Sequence, residues 1–88
     1  MTSSGKEKII VRQKFEELIN IGADIEFSYN GKYYTLLAWI PEGISVGEQD
    51  NDEDDNIFSD FDDMLEHYVI DGVKFVDIID DVNIEFSS

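Results

Sequence analysis

The residues best able to do chemistry in this chain are carboxylates, and they are crowded between Glu48 and Glu66. This stretch carries ten acidic side chains and neither lysine nor arginine. Its densest part comprises Asp50, Asp52, Glu53, Asp54 and Asp55. Carboxylates can act as acids and bases, bind metal ions or attract basic partners, and their spacing and surroundings decide among these roles.

The residue combinations that enzymes use are scarce. The chain has no cysteine, His67 is its only imidazole, and no Gly-x-Ser-x-Gly sequence presents a serine nucleophile. Gly31-Lys32 lacks the glycine spacing of a phosphate-binding loop. Two carboxylates that share the work of acid and base need different environments, whereas a solvated acidic run gives all its members the same one. We therefore expect no enzymatic activity and no cofactor.

A calcium site is one interpretation of the acidic run. Asp50, Asp52, Asp54 and Asn56 match ligand positions 1, 3, 5 and 7 of an EF-hand loop. However, Asp55 occupies position 6, where the sharp turn requires glycine, and Phe61 occupies position 12, where a bidentate glutamate is required. We therefore expect weak calcium binding at most.

A second interpretation gives the run no partner. A solvated, disordered loop of this charge would keep a small domain soluble and would protect a sheet edge from pairing with another chain.

The third interpretation is a surface that imitates nucleic acid. Five carboxylates within six extended residues, at ~3.4 Å per residue, would be spaced similarly to the phosphates of a DNA strand. Further acids would extend the negative field, and these are Asp60, Asp62, Asp63, Glu66, Asp71, Asp77, Asp80, Asp81 and Glu85. The residues expected to replace phosphates toward arginine and lysine are Asp50, Asp52, Glu53, Asp54, Asp55, Asp60, Asp62 and Asp63. Tyr33 and Trp39 are candidate apolar anchors.

The charge is distributed unevenly along the chain. The net charge is -15, yet residues 1–41 contain as many basic as acidic side chains, and residues 42–88 contain sixteen acids against Lys74 alone. Such a field repels nucleic acid and anionic membranes and attracts basic proteins and cations. We expect a basic protein surface as the partner, with no direct contact to nucleic acid or membrane.

Length and composition predict one domain spanning residues 1–88. Residues 1–5 are expected to form a flexible tail, and residues 48–57 an acidic loop. The absence of cysteine excludes disulfides and thiolate metal sites. No apolar run reaches the roughly 18 residues of a membrane span, and the N-terminus lacks the apolar centre of a signal peptide. We expect a cytoplasmic protein.

The clearest structural signal is a hairpin over residues 24–40. Asn30-Gly31 between two β-rich runs predicts a type I′ turn, which pairs Tyr29 with Lys32. The predicted core face consists of Ile25, Phe27, Tyr29, Tyr34, Leu36, Ala38 and Ile40. The opposite face consists of Glu26, Ser28, Tyr33, Thr35, Leu37 and Trp39. Leu37 and Trp39 are either covered by another segment of the domain or part of an aromatic contact patch.

The remaining elements complete an α+β prediction. Apolar spacing predicts a helix over residues 6–21, with Ser3 or Ser4 as its N-cap, and a third strand at the sheet edge around Ile44 and Val46. Ser59 is predicted to cap a second helix, with Asp62 as its capping-box acid. Asp71-Gly72 ends that helix, a short third helix follows, with a strand as the alternative, and residues 82–86 form the last strand. The order is α-β-β-β-α-α-β: a three-stranded antiparallel meander plus a C-terminal strand, with helices packed on the sheet.

The EFSYNGKYY hairpin and the ending IDG-x3-VDII-x3-NIEF resemble a loose group of small acidic uncharacterised proteins carried by prophages and mobile elements of Gram-positive bacteria. The resemblance covers about half of the chain and involves residues that form the fold, so it implies architecture and origin and transfers no active site. Acidic phage proteins of this size include inhibitors of host nucleic-acid enzymes. By that analogy, the resemblance favours the nucleic-acid mimic and a location in the host cytoplasm.

Overall fold

The computed structural model describes residues 3–51 and 53–87, and it confirms the predicted α+β class. Along the chain the elements are α1 (Ser3–Asn20), β1 (Asp24–Tyr29), β2 (Lys32–Ile40), β3 (Gly43–Glu48), β4 (Asn56–Phe58), α2 (Phe61–His67), β5 (Val69–Ile70), β6 (Val73–Lys74), α3 (Phe75–Ile78), a 3-10 turn (Ile79–Asp81) and β7 (Asn83–Ser87). Five strands form an antiparallel sheet in the order β4-β3-β2-β1-β7, and β5 and β6 form a separate two-stranded ribbon.

The β1–β2 hairpin has the register that its turn predicts. Tyr29 pairs with Lys32 and Ile25 with Leu36. Asn30 and Gly31 have φ angles of 54° and 81°, the positive values that a type I′ turn requires at both central residues. The C-terminal strand β7 pairs with the other side of β1, so β1 and β2 are both internal strands.

An aromatic cluster fills the space between the sheet and the helices. Phe15 of α1 and Phe75 of α3 are fully buried, and their ring centroids lie 5.8 Å apart with an edge-to-face orientation. Phe27 of β1 lies 5.5 Å from Phe15 and 5.7 Å from Phe75. Such aromatic pairs stabilise a core beyond the area that they bury, so a domain without disulfides is held together by packing.

Several predicted boundaries are wrong, each for a local reason. Ser3 and Ser4 lie within α1, which begins before the predicted Lys6, while Met1 and Thr2 lie outside the described residues. The cap of α2 is Asp60 and not Ser59, because the Asp60 side chain accepts the Asp63 N–H. Helix α3 spans a single turn, because Val73 and Lys74 pair with β5 before the helix starts.

The edge of the sheet also differs from the prediction. The sequence places β3 at the edge, but β4 pairs with it through Ile44–Phe58, Ser45–Ile57 and Val46–Asn56. A strand of three residues is too short to show the alternation of polar and apolar residues that identifies strands in a sequence. Because β4 pairs with β3, the acidic loop connects two neighbouring strands.

Candidate acidic binding surface

The acidic loop between β3 and β4 is a chain of tight turns. The Asn51 N–H donates to the Glu48 carbonyl, the Asp54 N–H to the Asn51 carbonyl and the Asp55 N–H to the Glu53 carbonyl. The Asn51 side chain also accepts the Glu53 N–H at 3.1 Å, as in an Asx turn. The extended conformation that would match the phosphate spacing of DNA is therefore wrong for this loop.

Side chains of the loop attach it to the sheet. The Asp54 carboxylate accepts the Glu48 N–H at 2.8 Å, and the Ser45 hydroxyl donates to the Asp55 carboxylate at 2.5 Å. The Asn56 amide donates to the Val46 carbonyl and to the Asp54 carboxylate, both at 3.1 Å. Asp54 and Asp55 are therefore engaged by the chain itself.

Gly47 permits the close approach of the loop to β3. A Cβ atom at this position would lie 1.7 Å from the Asp54 carbonyl oxygen and 2.8 Å from its carbonyl carbon. No side chain fits such a gap, so the loop can lie against the strand only where glycine stands.

At the start of α2, two more of the predicted residues serve as caps. The Asp60 carboxylate accepts the Asp63 N–H at 2.8 Å, and the Asp63 carboxylate accepts the Ser59 N–H at 3.0 Å and the Ser59 hydroxyl at 3.2 Å. His67 Nδ1 lies 2.7 Å from the other Asp63 oxygen. The Ser59 N–H first, and then His67, lower the pKa of Asp63 below its ordinary value.

The eight predicted acids therefore fall into three groups. Asp54, Asp55, Asp60 and Asp63 accept hydrogen bonds from the chain. Asp50, Glu53 and Asp62 are exposed, and their carboxylates have no hydrogen-bond partner among the described residues. Asp52 lies outside the described residues.

The geometry of the candidate calcium ligands also reflects these hydrogen bonds. Asp54 and Asn56 are hydrogen-bonded to each other and to the backbone. The amide nitrogen of Asn56, and not its oxygen, faces these partners, so the side chain donates. Over residues 3–51 and 53–87 no group of three His, Cys, Asp or Glu side chains is arranged to hold a metal ion. Asp52, one of the four candidates, is not among these residues.

The structure also places acids from distant parts of the sequence in two clefts. One has a volume of about 310 Å³ and lies where the end of α1 meets the start of α2, with Glu16, Asp60 and Asp62 in its walls. The second, of about 210 Å³, includes Glu48, Asp54 and Asp71, together with Tyr34 and Tyr68. The sequence placed Tyr34 on the predicted core face of the hairpin, and it contains no sign that the hydroxyl of either tyrosine reaches a surface.

The outer face of the sheet carries the predicted aromatic anchors. Tyr33 and Trp39 are 53% and 61% exposed, and the Trp39 indole donates to the Asp24 carboxylate at 2.7 Å. Leu37 is half-buried and, like Asp54 and Asp55, lines a shallow groove at the edge of the acidic loop. Leu37 is thus partly covered, whereas Tyr33 and Trp39 are open to solvent.

Basic side chains offset little of this acidity. Within the described part of the chain, the one ion pair is the contact of His67 with Asp63. Arg12, Lys14, Lys32 and Lys74 are exposed, and none lies within ion-pair distance of a described carboxylate. Among the described acids of the second half, most are solvent-exposed and none is buried. The field of the acidic half is therefore not cancelled locally.

Comparison of the chain with protein-family models, curated proteins and solved structures found no match. No helix among residues 3–51 and 53–87 is both long and apolar enough to cross a bilayer.

Proposed function

We propose that this protein is a non-catalytic acidic domain that binds a basic protein surface, most concretely as a nucleic-acid mimic that inhibits or modulates a nucleic-acid-binding protein. The observation that carries the proposal is the near absence of local compensation: sixteen acids in the second half of the chain face a single lysine, and the one described ion pair involves a histidine. A groove rich in arginine and lysine would be attracted by this field and occupied by its carboxylates. The role would be exercised in the cytoplasm of the cell that holds the partner.

The structure changes which acids the proposal depends on. Asp54, Asp55, Asp60 and Asp63 already accept hydrogen bonds, so their first contribution is to hold the loop and α2 in place. Carboxylates without such bonds are available to a partner at lower cost, and in this region these include Asp50, Glu53, Asp62 and Glu66. A loop that is already held by hydrogen bonds to the sheet has less conformational entropy to lose on binding, which favours recognition.

The test is affinity capture from a host-cell lysate at low and moderate ionic strength, followed by identification and purification of the captured protein. The wild type is compared with a variant carrying Asp50→Asn, Glu53→Gln and Asp62→Asn. The matched control carries Glu17→Gln, Glu26→Gln and Glu42→Gln, which removes the same charge from exposed positions elsewhere.

We expect the first variant to bind the purified partner more weakly than the control. We also expect affinity to fall steeply with salt, chiefly through slower association, and duplex DNA or RNA to compete with the protein. Affinity that does not depend on ionic strength, or simultaneous binding of nucleic acid and this protein to the partner, would show that mimicry is wrong.

A further inference from the structure

The second cleft contains polar groups that the fold does not use. It lies between β2, the acidic loop and the β5–β6 ribbon. Tyr34 and Tyr68 line it, and each residue is only 3% exposed. Neither hydroxyl forms a hydrogen bond to another described residue. No buried side-chain nitrogen or oxygen in the described part lacks a partner, so both phenol oxygens remain accessible and reach solvent through the cleft.

Three acidic residues lie around these hydroxyls in the cleft. Glu48 and Asp71 are among its lining residues, and their carboxylates have no hydrogen-bond partner among the described residues, whereas both oxygens of Asp54 are engaged. Burial is the largest cause that raises the pKa of Tyr34, and the negative charges of Glu48, Asp71 and Asp54 raise it further. The field of these acids therefore reaches the phenol. Burial, followed by the negative charge of Asp54, also raises the pKa of Tyr68. Both phenols therefore stay neutral and can accept hydrogen bonds.

The separation of the acceptors favours an organic cation over a metal ion. Within the described ranges, no three acidic or histidine side chains are close enough together to share a metal. A guanidinium is planar and carries several N–H donors in a fixed fork, so it can contact acceptors on different walls at once. It is also more weakly hydrated than an ammonium, which lowers the cost of entering a narrow site.

The size and rim of the cleft fit one side chain. Its volume of about 210 Å³ is below the ~300 Å³ at which pockets for whole small molecules begin. Val69, on the rim, is 53% exposed, and its apolar surface can pack against the methylene stem of a long side chain. Lys32 also lines the cleft and has no ion-pair partner among the described residues, so its positive charge offsets part of the attraction of the two free carboxylates.

We infer that this cleft, formed by Tyr34, Tyr68, Glu48 and Asp71, receives the guanidinium of an arginine from the basic partner. The inference rests on the proposed function for the source of that arginine, but the site itself can be tested without the partner.

The probe is N-acetyl-arginine amide, titrated into the full chain while backbone amide shifts are followed by NMR. We expect saturable shifts confined to Tyr34, the acidic loop and residues 68–71, and weaker binding of N-acetyl-lysine amide. N-acetyl-arginine, whose free carboxylate is repelled by the acids, should also bind less well. Equal or tighter binding of this compound would overturn the part that the acids play in the site. Equal binding of the lysine compound would overturn the assignment to guanidinium.

Two matched pairs of variants separate a site from general attraction. The double variant Tyr34→Phe with Tyr68→Phe removes only the two hydroxyls. It should weaken binding about fivefold or more, because one lost hydrogen bond is worth about 1 kcal/mol. The control Tyr33→Phe, on the outer face of the sheet, should leave binding unchanged. Glu48→Gln with Asp71→Asn should weaken binding more than Asp62→Asn with Glu66→Gln, which removes the same charge outside the cleft. Amide spectra of the unbound variants verify that each is folded.

Equal effects within both pairs, or shifts that spread over the surface without saturating, would overturn the site. The outcome for the proposed function is separate. Salt-dependent partner binding without arginine saturation would refute only the cleft, whereas arginine saturation in a protein that captures no nucleic-acid-binding partner would refute only the mimicry.

Discussion

Two hairpins of the sheet, β1–β2 and β3–β4, reach the same antiparallel pairing by different means. In β1–β2, the two-residue turn Asn30-Gly31 supplies the required positive φ angles and sets the register locally. In β3–β4, the connection runs through the acidic loop, which is held by the Asp54 carboxylate, the Ser45 hydroxyl and close contact with Gly47. The first closure depends on backbone conformation, whereas the second depends on side chains that a partner could otherwise use.

The difference shows that a high density of acids does not define a binding surface. Some carboxylates of the acidic half accept hydrogen bonds from backbone N–H groups, and these bonds stabilise the loop and the start of α2. The remaining carboxylates are exposed on the loop and helix that the first group stabilises. The predictions below test this division, beginning with the largest effect.

Gly47→Ala should destabilise the protein more than Gly31→Ala. The new methyl group at position 47 would collide with the Asp54 backbone, and overpacking of this kind costs about 3 kcal/mol at its upper range. At Gly31 no atom lies within 4 Å of the added Cβ, and the cost is the positive φ alone, about 1 kcal/mol. Chemical denaturation of both variants measures the difference. Equal losses would show that the loop does not depend on its contact with β3.

Asp54→Ala should cost about 2 kcal/mol, because the half-buried Glu48 N–H loses a charged acceptor. Asp50→Ala removes the same charge from the same loop, but its carboxylate has no described hydrogen-bond partner, so its effect should lie within about 0.5 kcal/mol. Thermal unfolding of both variants provides the comparison. A loss of similar size in both would mean that charge, and not the hydrogen bond, is what Asp54 contributes.

Asp63 should make stability depend on acid pH. Its folded pKa lies below the ordinary 3.8, because the Ser59 N–H and His67 favour the ionised form. The unfolded chain therefore binds this proton more tightly, and the contribution of Asp63 is complete above pH 3.8 and is lost as pH falls through the folded pKa. Asp63→Asn should reduce the loss of stability on acidification, and Asp62→Asn should not. Denaturation curves at neutral and acid pH measure this change, and unaltered pH dependence in Asp63→Asn would contradict it.

Trp39→Phe should have the smallest effect, about 0.5 kcal/mol, because its hydrogen bond to Asp24 is exposed and the hairpin register is set by the turn. Urea denaturation followed by far-UV circular dichroism measures the stability, since the variant contains no tryptophan. A large loss of stability would indicate that β1–β2, like β3–β4, depends on side-chain hydrogen bonds and not on its turn alone.

The comparison also explains which parts of the prediction were correct. The hairpin register and the inward face of Ile25, Phe27 and Leu36 follow from turn chemistry and alternation over a few residues. The prediction that Asp71-Gly72 ends α2 was wrong: α2 ends at His67, and Asp71-Gly72 forms the turn between β5 and β6, because Val69 and Ile70 pair with Lys74 and Val73. The edge position assigned to β3 was wrong, and the cap of α2 was misplaced by one residue. Strand β4 is too short to show alternation in the sequence, and Ser59 and Asp60 are both residue types that cap helices, so contacts made in the folded chain decided both features.

By itself, the amino-acid sequence determined the α+β class, the first hairpin and the concentration of negative charge after residue 41, because each follows from composition or from residues close together in the chain. Only the tertiary structure decided which acids hold the fold and which remain free, and only it brought Glu48, Asp71 and the hydroxyls of Tyr34 and Tyr68 into one cleft. The physical reason is that a carboxylate looks the same in a sequence whether its partner is water or a backbone N–H. Partners that are distant in sequence meet only when the loop folds back onto its strand.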